Sequence, residues 1–184
     1  LIALRRGKAS ITLEPGGQLE LSGAPLRTID EIDDETRGHL AEIRDISDDF
    51  GVAWLGMGFH PTARQADLDW VPKARYAIMN VYLPTKGQHG LDMMRRTSTV
   101  QANFDYRDEA DALRKLRVSM RLSPVVTSMF ASSPFYEGQP FGGKSFRAKV
   151  WLSVDPERQG LVPGIWKEGA RYRDYIEWGL DAGM

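Results

Sequence analysis

A chain of 184 residues is long enough for one domain with a sizeable core and too short for two full-sized ones. Its 24 Lys and Arg nearly cancel its 25 Asp and Glu, leaving a net charge of −1, so no overall field draws it to nucleic acid or to an anionic membrane. The absence of cysteine excludes thiolate metal sites, a cysteine nucleophile and disulfides, and it fits a cytoplasmic location; no apolar run approaches the roughly 20 residues that span a bilayer.

The chain opens in a strand-like run at Leu1, and "SITLEPGGQLELSG" (residues 10–23) then reads as a hairpin. Ile11 and Leu13 fall on one face with Leu19 and Leu21. Thr12, Glu14, Gln18, Glu20 and Ser22 fall on the other, and Pro15-Gly16-Gly17 makes the turn. From Thr28, an N-cap with Glu31 three residues on, the spacing of Ile29, Ile32, Leu40, Ile43, Ile46 and Phe50 predicts a long helix ending at Gly51. "VAWLGMGF" (residues 52–59) reads as a buried strand, because it is apolar nearly throughout.

A loop follows, then a helix over residues 74–83 and a turn at "PTKGQHG". In the next segment Thr97, Thr99, Gln101, Asn103 and Asp105 alternate with Ser98, Val100, Ala102 and Phe104, which predicts a second strand with a polar face. Asp108 caps a helix carrying Ala112, Leu113, Leu116 and Met120, and Pro124 opens a further one. After the glycine-rich loop "PFYEGQPFGGK", "SFRAKVWLSV" alternates as a last strand, and the aromatic C-terminal segment reads as an amphipathic helix. With no internal repeat and no regular βαβ alternation, the predicted class is α+β with a largely antiparallel sheet, one face covered by helices.

Three predicted strands therefore offer polar faces that would gather on one concave surface: Glu14 and Glu20; Thr99, Gln101 and Asn103; and Arg147 with Lys149. Carboxylates with a guanidinium suit a divalent cation bridging to phosphate. The alternative reading is a solvated sheet face, since threonine favours strands and isolated carboxylates favour water. No histidine pair stands at zinc-ligand spacing, and "GGKS" lacks the upstream glycine of a phosphate-binding loop, with Gln139 in its place.

Several segments together resemble one family. "ITLEPGGQLELSGAP", "WLGMGFHP", "VPKARYAIM", "GLDMMRRTSTVQANFDYRDEADALRKLRVSMRLSPVVTSMFASSPFYEG" and "SFRAKVW" are similar, in order and spacing, to the plant and proteobacterial type of glutamate–cysteine ligase. The hairpin motif and the R-T-x-T-V-Q-x-N-x-D segment carry the likeness as a pair. The resemblance implies a glutamine-synthetase-like fold, whose antiparallel sheet forms a funnel with helices behind it. It also implies ATP- and Mg²⁺-dependent joining of glutamate to cysteine, the first step of glutathione synthesis.

On that resemblance Glu14 and Glu20 are expected to hold Mg²⁺ against the nucleotide. Arg147 is expected to act in catalysis by recognising phosphate or glutamate, and Gln101, Asn103, Thr99 and Arg75 to bind substrate. Small molecules (glutamate, cysteine and ATP) are the expected partners, with neither nucleic acid nor membrane, and an exposed sheet edge is expected to allow pairing with another chain. The family's upstream E-x-E strand has no counterpart here, and cysteine is common in the family where Ser98 stands. The loop "EGQPFGGKSFR" departs from the family's E-G-K-P-N-G form. Residues 1–184 are accordingly expected to form a single, incomplete catalytic domain with little or no ligase activity alone. A ligase with another amine acceptor and a non-catalytic binding domain stay open beside this reading.

Overall fold

The structure is a computed structural model that describes residues 3–182; the strand-like start at Leu1 and Ile2 lies outside the described residues. It opens with an antiparallel three-stranded sheet: β1 (Ala3–Arg6), β2 (Ala9–Leu13) and β3 (Leu19–Ser22), with β2 in the centre. The β2–β3 register pairs Ile11 with Leu21, Leu13 with Leu19 and Thr12 with Glu20, so the apolar and polar parities separate as the alternation requires.

The helix α1 (Ile29–Phe50) has both predicted ends. Thr28 accepts from the Glu31 backbone while Glu31 reaches back to the Thr28 N–H, and Gly51 closes the helix in the left-handed region at φ 63°. Its apolar stripe is not buried: Ile29 and Phe50 are about four-fifths exposed.

Five further helices are α2 (Ala74–Tyr82), α3 (Gly90–Arg96), α4 (Glu109–Met129), α5 (Phe146–Trp151) and α6 (Tyr172–Leu180). A two-residue pair, β4 (Phe135–Tyr136) and β5 (Gln139–Pro140), forms a small separate hairpin. The main core joins Phe59, Val71, Tyr76, Leu83, Met94, Phe146, Val150 and Val154, so it sits among α2, α3 and α5 with Leu13 of β2 against it. A second cluster of Leu113, Val162 and Ile165 joins α4 to the C-terminal segment.

The architecture is mixed helix and small antiparallel sheets, and it corrects four predicted elements. "VAWLGMGF" is not a strand: only Phe59 bridges, to Thr97, and the Gly58 N–H goes to the Ser132 carbonyl instead of to a neighbouring strand. Residues 99–105 form no regular secondary structure, with Val100 and Phe104 exposed, so Thr99, Gln101 and Asn103 stand on no sheet. Alternation supplies a face, whereas a strand also needs a neighbour for its N–H and C=O groups.

The third correction is Arg147, which lies on the helix α5 and not on a strand. Phe146 and Val150 are both buried, a spacing of four that alternation and a helical turn share. Leu152, which strand parity would bury, is 83% exposed, and the Ser145 hydroxyl accepts from the Ala148 N–H as a helix cap. The predicted break at Pro124 is also absent, since α4 runs through it from the Asp108 cap. The concave face expected from three polar strands therefore reduces here to that of one hairpin.

Candidate functional site

The hairpin is held at its turn. Gly16 passes so close to α3 that an added Cβ would lie 2.3 Å from the Arg95 carbonyl oxygen, which only glycine permits. The Gln18 side chain accepts from the Gly16 N–H at 2.8 Å and donates to the carbonyls of Met94 and Thr97 at 3.2 and 3.0 Å. On the other side the Val71 N–H donates to the Pro15 carbonyl at 2.9 Å and Lys73 Nζ to the Leu13 carbonyl at 2.8 Å.

This anchoring leaves Glu14 and Glu20 on the hairpin's polar face. Thr12 pairs with Glu20 and the Glu14 N–H bonds to the Gln18 carbonyl, which makes the two carboxylates diagonal neighbours. Cα atoms so related lie about 7–8 Å apart, within reach of one ligand. Glu20 also accepts from the Ser22 hydroxyl at 2.8 Å.

Arg75, in the first turn of α2, completes the group. Its pKa is raised first by the hydrogen bond to the Tyr76 hydroxyl, with smaller contributions from the charges of Glu14 and Glu20. Nη2 lies 3.1 Å from that hydroxyl, and the guanidinium sits 4.9 Å from the ring centroid. Lys73, two residues before Arg75, is tied to the Leu13 carbonyl next to Glu14, so the start of α2 adjoins the hairpin, and two carboxylates with a guanidinium nearby can hold a hard cation and an anion side by side.

The remaining candidates are not gathered there. Gln101 donates to Asn103 at 3.0 Å and the Thr99 hydroxyl to the Val100 carbonyl at 3.1 Å, all three residues exposed. Arg147 makes no ion pair among the described residues. Its stem packs against Gly58, its guanidinium lies 5.5 Å from the Trp151 centroid, and its buried Nε has no partner. Burial lowers its pKa, which is the signature of a cation held without its counter-ion.

Sequence reasoning missed a buried network on α3. Asp92 accepts from Arg96 Nη1 at 3.1 Å and meets His89 Nδ1 at 2.8 Å, while Arg96 also reaches Glu137 at 3.4 Å. The Arg96 guanidinium lies 4.5 Å from the Phe59 centroid and 5.0 Å from that of Tyr136. The available signal was the acid and base at i and i+4 in "DMMRR", which is helical ion-pair spacing. Among the described residues no three His, Cys, Asp or Glu side chains cluster as a metal cage, and no helix is long and apolar enough to cross a membrane.

Residues 2–184 match the family model described as Glutamate-cysteine ligase family 2 (GCS2). The chain is 45% identical over its full 184 residues to "Glutamate--cysteine ligase, chloroplastic" of Brassica juncea, covering 36% of that protein. Over the same length it is 44% identical to the Arabidopsis thaliana protein of that name and 43% to "Glutamate--cysteine ligase B, chloroplastic" of Oryza sativa subsp. japonica, covering 35% and 37% of them. The chain thus spans about a third of the length of these relatives, and it belongs to the glutamate-cysteine ligase family 2.

Proposed function

We propose that this chain forms part of the active surface of an ATP-dependent carboxylate–amine ligase that joins the glutamate side chain to cysteine, the first step of glutathione synthesis. The observation that carries the reading is the diagonal pair Glu14 and Glu20 on a hairpin tied through Lys73 to the start of α2, where Arg75 stands, in a chain that matches this family almost from end to end. A glutamine-synthetase-like fold and a cytoplasmic location belong to the same reading, supported by the antiparallel hairpin and by the cysteine-free composition.

The donor set fits Mg²⁺, which binds through one or two carboxylates and completes its octahedron with phosphate and water oxygens. Glu14 and Glu20 would hold it, and when bound it neutralises phosphate charge. In the reaction a glutamate carboxylate oxygen takes the terminal phosphoryl group of ATP, and ADP leaves. The cysteine amine then attacks the acyl carbon, phosphate departs, and the amine loses its proton to give the amide.

Each approach brings anions together, so this chain's contribution is fixed positive charge. Arg75 would grip anionic oxygen beside the metal carboxylates, and Arg147, with its uncompensated guanidinium, would receive phosphate or the glutamate carboxylate. Gln101, Asn103 and Thr99 would orient substrate from the segment that follows α3, their polar groups exposed. Nucleic acid and membrane play no part in this reading, and the edge strands β1 and β3 are the places where another strand would add.

Calorimetric titration with a non-hydrolysable ATP analogue, with and without Mg²⁺, tests it. Metal-dependent binding by the chain, lost in both Glu14→Ala and Glu20→Ala, is expected. Binding that survives both substitutions would remove the nucleotide from the hairpin.

A further inference from the structure

The basic residues at the start of α2 converge on one buried phenol. Tyr76 is 3% exposed, and its hydroxyl oxygen takes a hydrogen bond from Arg75 Nη2 at 3.1 Å and another from Lys73 Nζ at 3.2 Å. Both cations also lie over its ring, at 4.9 Å for Arg75 and 5.2 Å for Lys73. Lys73 has a second tie, to the Leu13 carbonyl immediately before Glu14. Arg75 has none: the Tyr76 hydroxyl is its one hydrogen-bond acceptor among the described residues, and it is otherwise an exposed side chain with a long, flexible stem.

We propose that Tyr76 is a positioning residue for anion recognition: its buried hydroxyl and ring hold the Arg75 guanidinium toward Glu14 and Glu20, where it meets the phosphate of a metal-bound nucleoside triphosphate. The inference rests on the ligase reading for its ligand, but the contact that carries it belongs to the free protein. Neighbouring side chains on a helix diverge by about 100°, so Arg75 must fold back across Tyr76 to make this bond. An exposed arginine loses considerable rotamer freedom on binding a ligand, and a guanidinium already seated loses less. Tyr76 therefore acts through Arg75, and it touches neither metal nor substrate.

Tyr76→Phe removes one oxygen and keeps the ring in the core. The first readout needs no ligand: nitrogen-15 spectra of the arginine guanidinium groups should show hindered rotation for Arg75 in the native chain and free rotation in Tyr76→Phe. Equal rotation in the two proteins overturns the proposal and leaves the ligase reading intact. The second is calorimetric titration with the Mg²⁺ complex of a non-hydrolysable ATP analogue. Tyr76→Phe should bind roughly three- to tenfold more weakly, the range of one ordinary net hydrogen bond. In the Arg75→Ala background the same substitution should have no further effect. An equal loss in that background would show that the phenol acts otherwise than through Arg75, and it would sink the proposal. Native protein that binds no nucleotide would overturn the ligase reading together with this role. Thermal unfolding of each variant separates a lost fold from a lost contact.

Discussion

Gln18 Nε2 lies 3.0 Å from the Thr97 carbonyl oxygen, joining the β2–β3 turn to the end of α3 across 79 residues of sequence. The same side chain bonds to Met94 and to Gly16, so one amide fixes both where the hairpin sits and how its turn is shaped. Replacing Gln18 with Ala leaves the carbonyls of Met94 and Thr97 and the Gly16 N–H without this partner. At about 1 kcal/mol net for each hydrogen bond, a loss of roughly 2–3 kcal/mol in urea unfolding is expected. A change below about 0.5 kcal/mol would mean that the turn is held by its backbone contacts alone.

Arg96 should behave very differently from the surface cations. Its side chain is 1% exposed and faces Asp92, at 9%, with Glu137 beside them. Arg96→Leu leaves a buried carboxylate with a lost partner, which typically costs about 3–5 kcal/mol. Asp92→Asn combined with Arg96→Leu removes both charges and should recover much of that loss. Equilibrium denaturation of the two variants checks this, and equal destabilisation by both would show that packing around Phe59 and Tyr136 matters more than charge.

The pH response should carry a contribution from His60. Burial is the first cause that pushes its pKa below the ordinary 6.5, and the charge of Arg96 is the second. Its Nδ1 accepts from the N–H groups of Ala63, at 3.0 Å, and Thr62, at 3.4 Å. Below pH 6.5 the unfolded chain takes up a proton that folded His60 resists, so this contribution is complete above 6.5 and declines as the pH falls toward the depressed folded value. Denaturation midpoints between pH 7.5 and 5 should fall less steeply in His60→Asn than in the native chain. Parallel slopes would remove His60 from the account.

The candidate substrate segment should be the least protected part of the centre of the chain. Among the described residues no backbone N–H from Thr99 to Asp105 donates to another backbone group, and Val100 is 98% exposed. Amide hydrogen exchange there is expected to approach the rates of an unstructured peptide, while Arg96 and its neighbours on α3 stay protected. Slow exchange over residues 99–105 would require backbone partners that this arrangement does not contain.

Local rules read from the sequence alone determined the elements that carry their own punctuation. Thr28, Glu31 and Gly51 delimit α1 through contacts within a few residues, and the Pro15-Gly16-Gly17 turn with its flanking alternation specifies the β2–β3 register and puts Glu14 and Glu20 on one face. The same motif, paired with R-T-x-T-V-Q-x-N-x-D, already marked the family. Tertiary structure decided the rest, because strand pairing and counter-ions are properties of neighbours distant in sequence. Phe146 and Val150 fit a strand or a helix equally until the Ser145 cap and the aromatic core select α5, and alternation at Thr99, Gln101 and Asn103 cannot supply the strand they would need beside them. Nor could spacing show that Arg75 folds back over Tyr76 beside the hairpin, since that placement depends on α2 docking at the end of β2 through Lys73 and Leu13.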